Sequence, residues 1–301
     1  MHKSVQAYSR SGARTSGSGV APLVPMPEAV FRRFSDLIQQ ECGIKMPVSK
    51  KTMLEARLRK RLKALHLEDF EEYCDHVFGP GGFEHELVHL LDVVTTNKTD
   101  FFREGVQFEY LQRTALPTLC ERGGGRVLRG PLRAWSAGCS TGEEAYTLAM
   151  VLEEFRSQRP GFEYQILATD LSTRVLHAAA RGIYRAERIE PVPVSLRARY
   201  LLRSRDRARG LVRIQPDLRA RVSFQRLNFR DHDYAVGAPH QVIFCRNVLI
   251  YFEKDFQREL LLRLISRLDA GGYLFLGHTE SIHGMGLPVT PVGFSVYRAP
   301  G

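Results

Sequence analysis

The 301-residue sequence contains no apolar run long enough to cross a bilayer, which argues against membrane insertion. Its five cysteines, Cys42, Cys74, Cys120, Cys139 and Cys245, form no C-x-x-C pair. An odd, scattered set of thiols fits a reducing cytoplasm better than a disulfide framework. Acids are missing from residues 1–26, a stretch of Ser, Gly, Ala and Arg with no amphipathic period. A disordered basic tail is expected there, not a transit peptide. No internal repeat is visible. Neither G-x-G-x-x-G nor Gly-Lys-Ser/Thr occurs at the glycine-rich loop described below, so neither a dinucleotide nor a nucleoside triphosphate is supported there.

What is present fits a globular chain of one large or two ordinary domains, at 34.2 kDa and 44% hydrophobic residues. Net charge is +10, which points to an acidic partner. From Pro27 to about Leu91 the pattern is helical. Leu54, Leu58, Leu62 and Leu65 fall on one helix face, and Arg59, Lys60 and Lys63 on the opposite one. Six Lys/Arg against one Glu between Lys51 and His66 favour docking to an acidic surface over a merely solvated face. A helical domain is expected over 27–94, and a connecting helix and linker over 95–121 with the loop Arg122-Gly123-Gly124-Gly125 after it.

Strand and helix then alternate to the end of the chain. Strands are expected at 132–137, 164–169, 241–246, 272–276 and 294–297. Helices are expected at 143–157, 172–181 and 254–268, the last stopped by Asp269-Ala270-Gly271-Gly272. This implies an α/β, doubly wound, mostly parallel sheet over 122–301, with ligands at the carboxyl ends of its strands. A small β insertion with a second arginine cluster is expected over about 195–227.

The most informative stretch is Gly138-Cys139-Ser140-Thr141-Gly142-Glu143-Glu144, a glycine-bounded turn between strand and helix. Two carboxylates at the helix start would repel a pyrophosphate but attract an amine or sulfonium, as in S-adenosylmethionine. Asp170 ends the next strand, where an acid can accept both hydroxyls of a ribose or cap the following helix together with Ser172. Asn247 ends the strand after that, where an asparagine turn would also explain it. Thr95–Glu104 is a further dense cluster, whose plainer explanation is a helix cap at Thr99 or Asp100 with two buried aromatics. His85-Glu86-Leu87-Val88-His89 matches H-E-x-x-H, but no further histidine follows at the usual spacing and no metal is expected.

In order along the chain, TTNKTDFFRE (95–104), AGCSTGEEAYTLA (137–149), LATDLS (167–172), GLVRI (210–214), FCRNVLIYF (244–252) and GYLFLGHTES (272–281) resemble the chemotaxis receptor methyltransferases, the CheR family. The resemblance covers about 27–298, with Ala145-Tyr146-Thr147 where the family has Pro-Tyr-Ser. It implies a class I S-adenosylmethionine-dependent methyltransferase domain behind a small helical domain. Cofactor contacts carry over to Asn97, Thr99, Arg103, the Glu143/Glu144 pair, Asp170, Asn228, Phe229, Arg246 and Asn247. Which of the two glutamates meets the methionine amine stays open.

The implied reaction is methyl transfer to receptor glutamates. A carboxylate is already ionised at neutral pH and needs no general base, consistent with the absence of a poised His–Asp or Ser–His pair. Arg103 would hold the acceptor carboxylate and Tyr251 orient it. The partners implied are an acidic helical chemoreceptor region, met by Arg59, Lys60 and Lys63, and a receptor C-terminal peptide at the insertion, with the enzyme a cytoplasmic monomer. A methyltransferase of RNA or DNA is the alternative, along with a non-catalytic cofactor sensor. Against nucleic acid, the basic helix at 51–66 carries no aromatic for base stacking.

Overall fold

Four amphipathic helices, α1 (Glu28–Cys42), α2 (Lys51–Leu65), α3 (Phe70–Phe78) and α4 (Gly82–Val94), fold the first region around its own core. Leu54, Leu58 and Leu62 of α2 meet Phe31, Phe34 and Ile38 of α1 and Phe70 and Tyr73 of α3 there. Asp69 starts α3 as a side-chain cap, accepting the amides of Glu71 and Glu72 at 2.9 Å each. The computed structural model describes residues 24–122 and 130–301; residues 1–23 of the expected tail and the glycines of the 122–125 loop lie outside them. Met26, the last residue of the expected tail, is packed: it is 1% exposed and its amide donates to Glu55, while Val24 is exposed.

Residues 96–104 form an irregular segment, followed by α5 (Gly105–Tyr110), a π-helical turn (Leu111–Ala115) and α6 (Leu116–Arg122). This stretch is part of the sheet domain's core as well as a link. Phe108 stacks on Phe244 at 5.3 Å, and Leu111, Leu116 and Leu119 join the same cluster.

The main sheet consists of β1 (Leu132–Ala137), β2 (Tyr164–Asp170), β6 (Val222–Arg226), β7 (His240–Cys245), β8 (Leu268–Leu276), β9 (Thr290–Gly293) and β10 (Val296–Arg298), in the order β6-β2-β1-β7-β8-β10-β9. The first five pair in parallel and β10 runs antiparallel to both its neighbours. The order reverses between β1 and β7, which opens a crevice at their carboxyl ends. Helices α7 (Glu143–Ser157), α8 (Thr173–Arg181) and α11 (Lys254–Ile265) connect or flank the strands.

Three local expectations differ from the structure, the first being the strand 294–297, whose residues 294 and 295 form the turn between β9 and β10. Asp269–Gly272 lies inside β8 instead of stopping a helix. The register slips there, and a side chain at Gly272 would place Cβ 2.9 Å from the Asp269 carbonyl and 3.0 Å from that of Gln241. The small sheet, in the order β3-β5-β4, runs from β3 (Ile183–Arg185) through α9 (Val194–Tyr200) and β4 (Leu201–Arg203) to β5 (Leu211–Ile214). It begins before residue 195, while β6 at 222–226 belongs to the main sheet beside β2, after the short α10 (Pro216–Ala220). Short strands rich in arginine carry little alternation, so their bounds are poorly marked in sequence.

Candidate functional site

A cavity of about 1010 Å³, counting its open mouth, sits in that crevice, with the helical domain as its far wall. Gly138 and Ser140 after β1, Asp170 at the end of β2, Asn228 and Phe229 after β6, and Arg246, Asn247 and Val248 after β7 line it. Thr95–Thr99 and Arg103 form one side, while Cys42, Ile44, Met46, Lys50 and Met53 face them from the helical domain. The domains are latched at the rim: Lys45 N–H donates to the Tyr251 carbonyl at 2.9 Å, and Asn228 Nδ2 to the Glu41 carbonyl at 2.7 Å.

The glycine turn works by close approach. Gly138 (φ 89°) and Gly142 (φ 93°) are left-handed, and a Cβ at Gly138 would lie 2.6 Å from Val248 Cγ2. Asp170 orders this turn, accepting Ser140 N–H at 2.8 Å and Ser172 N–H at 3.0 Å. Ser172, not Asp170, caps α8. Burial pushes the Asp170 carboxyl above its ordinary range, against the opposing pull of these amides.

The two acids at the start of α7 diverge. Glu144 lines the cavity, accepts Ser136 Oγ at 2.7 Å and pairs with Arg246 Nε at 2.7 Å. Glu143 points away, accepting Thr141 Oγ1 at 2.6 Å and Arg188 Nη2 at 2.8 Å. Of the site residues expected from sequence, Asn97, Thr99, Arg103, Glu144, Asp170, Asn228, Phe229, Arg246, Asn247 and Tyr251 all line the cavity, and Glu143 does not.

The 95–104 segment is held largely by side chains from elsewhere in the chain. Without regular backbone pairing, its carbonyls are taken by side chains: Asn97 O by Ser140 Oγ, Lys98 O by Arg103, Thr99 O by Arg188 and Arg103 O by Arg246. Thr99 and Asp100 therefore do not cap α5. Arg246 is 2% exposed and lies over Phe108 and Phe244, so it braces the floor as well as lining it.

Sequence reasoning missed two groups. Glu280, buried, accepts the amides of Gly277, Asn247, Val248 and Leu249 at 2.7–2.8 Å, which holds Asn247 in its left-handed pose (φ 58°). The acid in GHTES just past a strand end was the available signal. The second group is the apolar wall from the helical domain, which carries no motif. Cys42 in that wall has its thiol pushed up to about 12 by burial, which leaves it unreactive as a nucleophile.

Charge of both signs lines the cavity: Glu144, paired with the buried Arg246, and Asp170 share it with Lys50, Lys98 and Arg103, of which Lys98 is exposed. Tyr251 keeps its proton, since burial raises its phenol above the ordinary value and Arg103 and Arg57 offset this only in part. No histidine lines the cavity among the described residues. The H-E-x-x-H residues are apart: His85 and His89 are exposed, while Glu86 is buried against Arg61 (2.6 and 2.8 Å) and Tyr73 (2.9 Å). Among the described residues no cluster of three or more His, Cys, Asp or Glu is placed to hold a metal, and no helix is long and apolar enough to cross a membrane.

On the basic helix, Lys60 and Lys63 are exposed. Arg59 is half-covered, donating to the Val24 carbonyl at 2.9 Å and lying over Phe70.

Two family models match: the all-alpha domain of CheR methyltransferases over residues 29–95, and their SAM binding domain over 97–296. Similar proteins include a chemotaxis protein methyltransferase of Klebsiella aerogenes, 38% identical with 90% of each chain covered. Those of Borreliella burgdorferi (36% identical, 84% of this chain and 88% of the other) and Escherichia coli (37%, 90% and 91%) are comparable.

Proposed function

The chain belongs to the CheR family of S-adenosylmethionine-dependent methyltransferases, and we propose that it methylates glutamate side-chain carboxylates of chemoreceptors, giving methyl esters. The observation that carries this reading is the cavity at the carboxyl ends of the strands, where the carboxylates of Glu144 and Asp170, the first paired with Arg246, share a lining with Arg103 and Tyr251 and no histidine among the described residues. The donor set suits the cofactor. Asp170, at the end of β2, would accept the ribose hydroxyls, Glu144 would offer a carboxylate to the methionine amine, and Phe229 and Leu171 would supply apolar surface. Asn97, Thr99, Asn228, Arg246 and Asn247 complete the polar lining, and Glu143 supports it from behind.

When bound, S-adenosylmethionine supplies an electrophilic methyl group on a sulfonium. The residues of the chain need only bring a carboxylate to it. Arg103 holds the acceptor by charge-assisted hydrogen bonds and the Tyr251 hydroxyl donates a hydrogen bond to the second oxygen. The acceptor, with an unperturbed pKa of about 4.3, arrives ionised and no proton has to be removed. The helical domain and loop 95–103 exclude water from the aligned pair.

Lys60 and Lys63, with Arg59 beside them, face an acidic helical receptor region. The free edges of the small sheet offer a place for a receptor's C-terminal segment to add as a strand. The enzyme acts as a cytoplasmic monomer in this reading. Incubating it with labelled S-adenosylmethionine and receptor-containing membranes tests the proposal. Label in the receptor band that is released as methanol in mild alkali supports a carboxyl ester, and alkali-stable label or label in nucleic acid refutes it.

A further inference from the structure

Arg188 stands outside the cavity, in the short turn Ala186–Ile189 that follows β3 of the small sheet. Its guanidinium nevertheless reaches three groups in the frame of the cofactor site. Nη1 donates to Asp100 Oδ1 at 2.8 Å, Nη2 donates to Glu143 Oε1 at 2.8 Å, and Nη2 also meets the Thr99 carbonyl. Thr99 lines the cavity, and Glu143 opens α7 one residue before Glu144, which also lines it. Residues 96–100 have no regular secondary structure, so side-chain contacts fix where Thr99 lies. We infer that Arg188 is a positioning residue for S-adenosylmethionine binding, through which the small sheet holds the two segments that carry Thr99 and Glu144.

Charge balance makes the contact demanding. The Glu143 side chain is 2% exposed, and its hydrogen-bond donors are the Thr141 hydroxyl and Arg188. Without Arg188 a carboxylate would stay buried with one neutral donor, and the relief available to it is rotation toward water, which disturbs the first turn of α7. Asp100 would lose its cation at the same time, and the Thr99 carbonyl its donor. The small sheet and the cofactor site are then energetically coupled, and whatever steadies one favours the other by the same factor.

The inference rests on the cavity being the cofactor site, and calorimetric titration of the full chain with S-adenosylhomocysteine tests both. Absence of binding by the wild type would remove the cofactor reading and this inference with it. With wild-type binding established, Arg188→Ala is expected to bind on the order of tenfold more weakly. Its KM for S-adenosylmethionine should rise while kcat at saturating cofactor is kept, since Arg188 touches neither reactant. Arg188→Lys should recover part of the affinity, keeping the charge but losing the planar fork. Asp100→Asn, which alters one half-exposed partner, should fall between. A folded Arg188→Ala variant with wild-type affinity overturns the inference. If that variant does not fold, wild-type affinity in both Arg188→Lys and Asp100→Asn overturns it equally.

Discussion

Glu144 and Arg246 meet at the floor of the cavity, Arg246 Nε donating to Glu144 Oε2 at 2.7 Å, with the two side chains 9% and 2% exposed. They arrive from α7 and from the loop after β7, so this one contact joins the segments on both sides of the topological reversal. Arg246 also holds the Arg103 carbonyl at 2.8 Å and Gln107 Oε1 at 3.0 Å. Arg246→Ala would leave Glu144 buried without its cation, a change that costs about 3–5 kcal/mol. A markedly lower thermal melt together with lost S-adenosylhomocysteine binding is expected, and an unchanged melt would show that Arg246 does not brace the floor.

Arg103 and Tyr251 should behave in the opposite way. Both are half-buried on the cavity wall, and the Arg103 side chain donates to the Lys98 carbonyl at 3.3 Å. Arg103→Ala and Tyr251→Phe are expected to melt near the wild type while turnover falls by about a hundredfold, through a misaligned acceptor. Activity loss that tracks a lower melt would make both residues structural.

Asp170 gives the cofactor affinity a pH dependence. Burial raises its pKa above that of an exposed aspartate, so it takes up a proton at a higher pH. Protonated, it cannot accept two ribose hydroxyls. S-adenosylhomocysteine affinity should therefore weaken as pH falls through that raised value, and Asp170→Asn should flatten the profile at a uniformly lower affinity. The stability sign is the reverse of the usual one for a carboxylate. Between the unfolded and the folded pKa the native chain binds more proton than the unfolded one, so this group disfavours folding increasingly as pH rises through the window. Isothermal titrations across the acidic range check the binding arm, and denaturant melts of wild type against Asp170→Asn check the other.

Much of this site could be read from residue order. Strand ends in a parallel sheet are marked by short apolar runs followed by a polar residue, which is why Asp170, Arg246 and Asn247 were legible. Glu143 and Glu144 were not separable, because a helix turns about 100° per residue and only the surroundings show which acid faces inward. Glu280 went unread since the backbone amides it accepts leave no pattern in side chains, and only its place just past a strand end marks it. The wall formed by Ile44, Met46 and Met53 is a tertiary product of docking a separate helical core, and the half-covered position of Arg59 comes from its contacts to Val24 and Phe70.

Glu86 should prove structural and its neighbouring histidines silent. Its carboxylate is buried and shared by Arg61 and Tyr73, which ties α4 to α2 and α3. Glu86→Gln is expected to destabilise the helical domain by about 3 kcal/mol by leaving Arg61 without its anion. His89→Gln, at an exposed position, should change neither melt nor methyl transfer. Zinc analysis of purified protein at one metal per chain would contradict this.

Charge reversal on α2 tests how the acceptor is brought to the mouth. Lys60 and Lys63 are exposed and lie opposite Leu54, Leu58 and Leu62, so Lys60→Glu with Lys63→Glu should leave the core intact. Arg59 is the poorer target, since its contacts to Val24 and Phe70 mix a packing effect into any result. A receptor helix rich in glutamate would be attracted across the gap before contact, and such steering acts mainly on the association rate. The double variant should therefore methylate intact receptor more slowly at low salt. Because the Debye length shortens from about 30 Å at 0.01 M to about 8 Å at 0.15 M, the gap between variant and wild type should narrow as salt rises. S-adenosylhomocysteine affinity should not move, since neither lysine lines the cavity. Receptor methylation unchanged at every salt concentration would mean that the basic face is only solvated, and the edge of the small sheet would become the better candidate for docking.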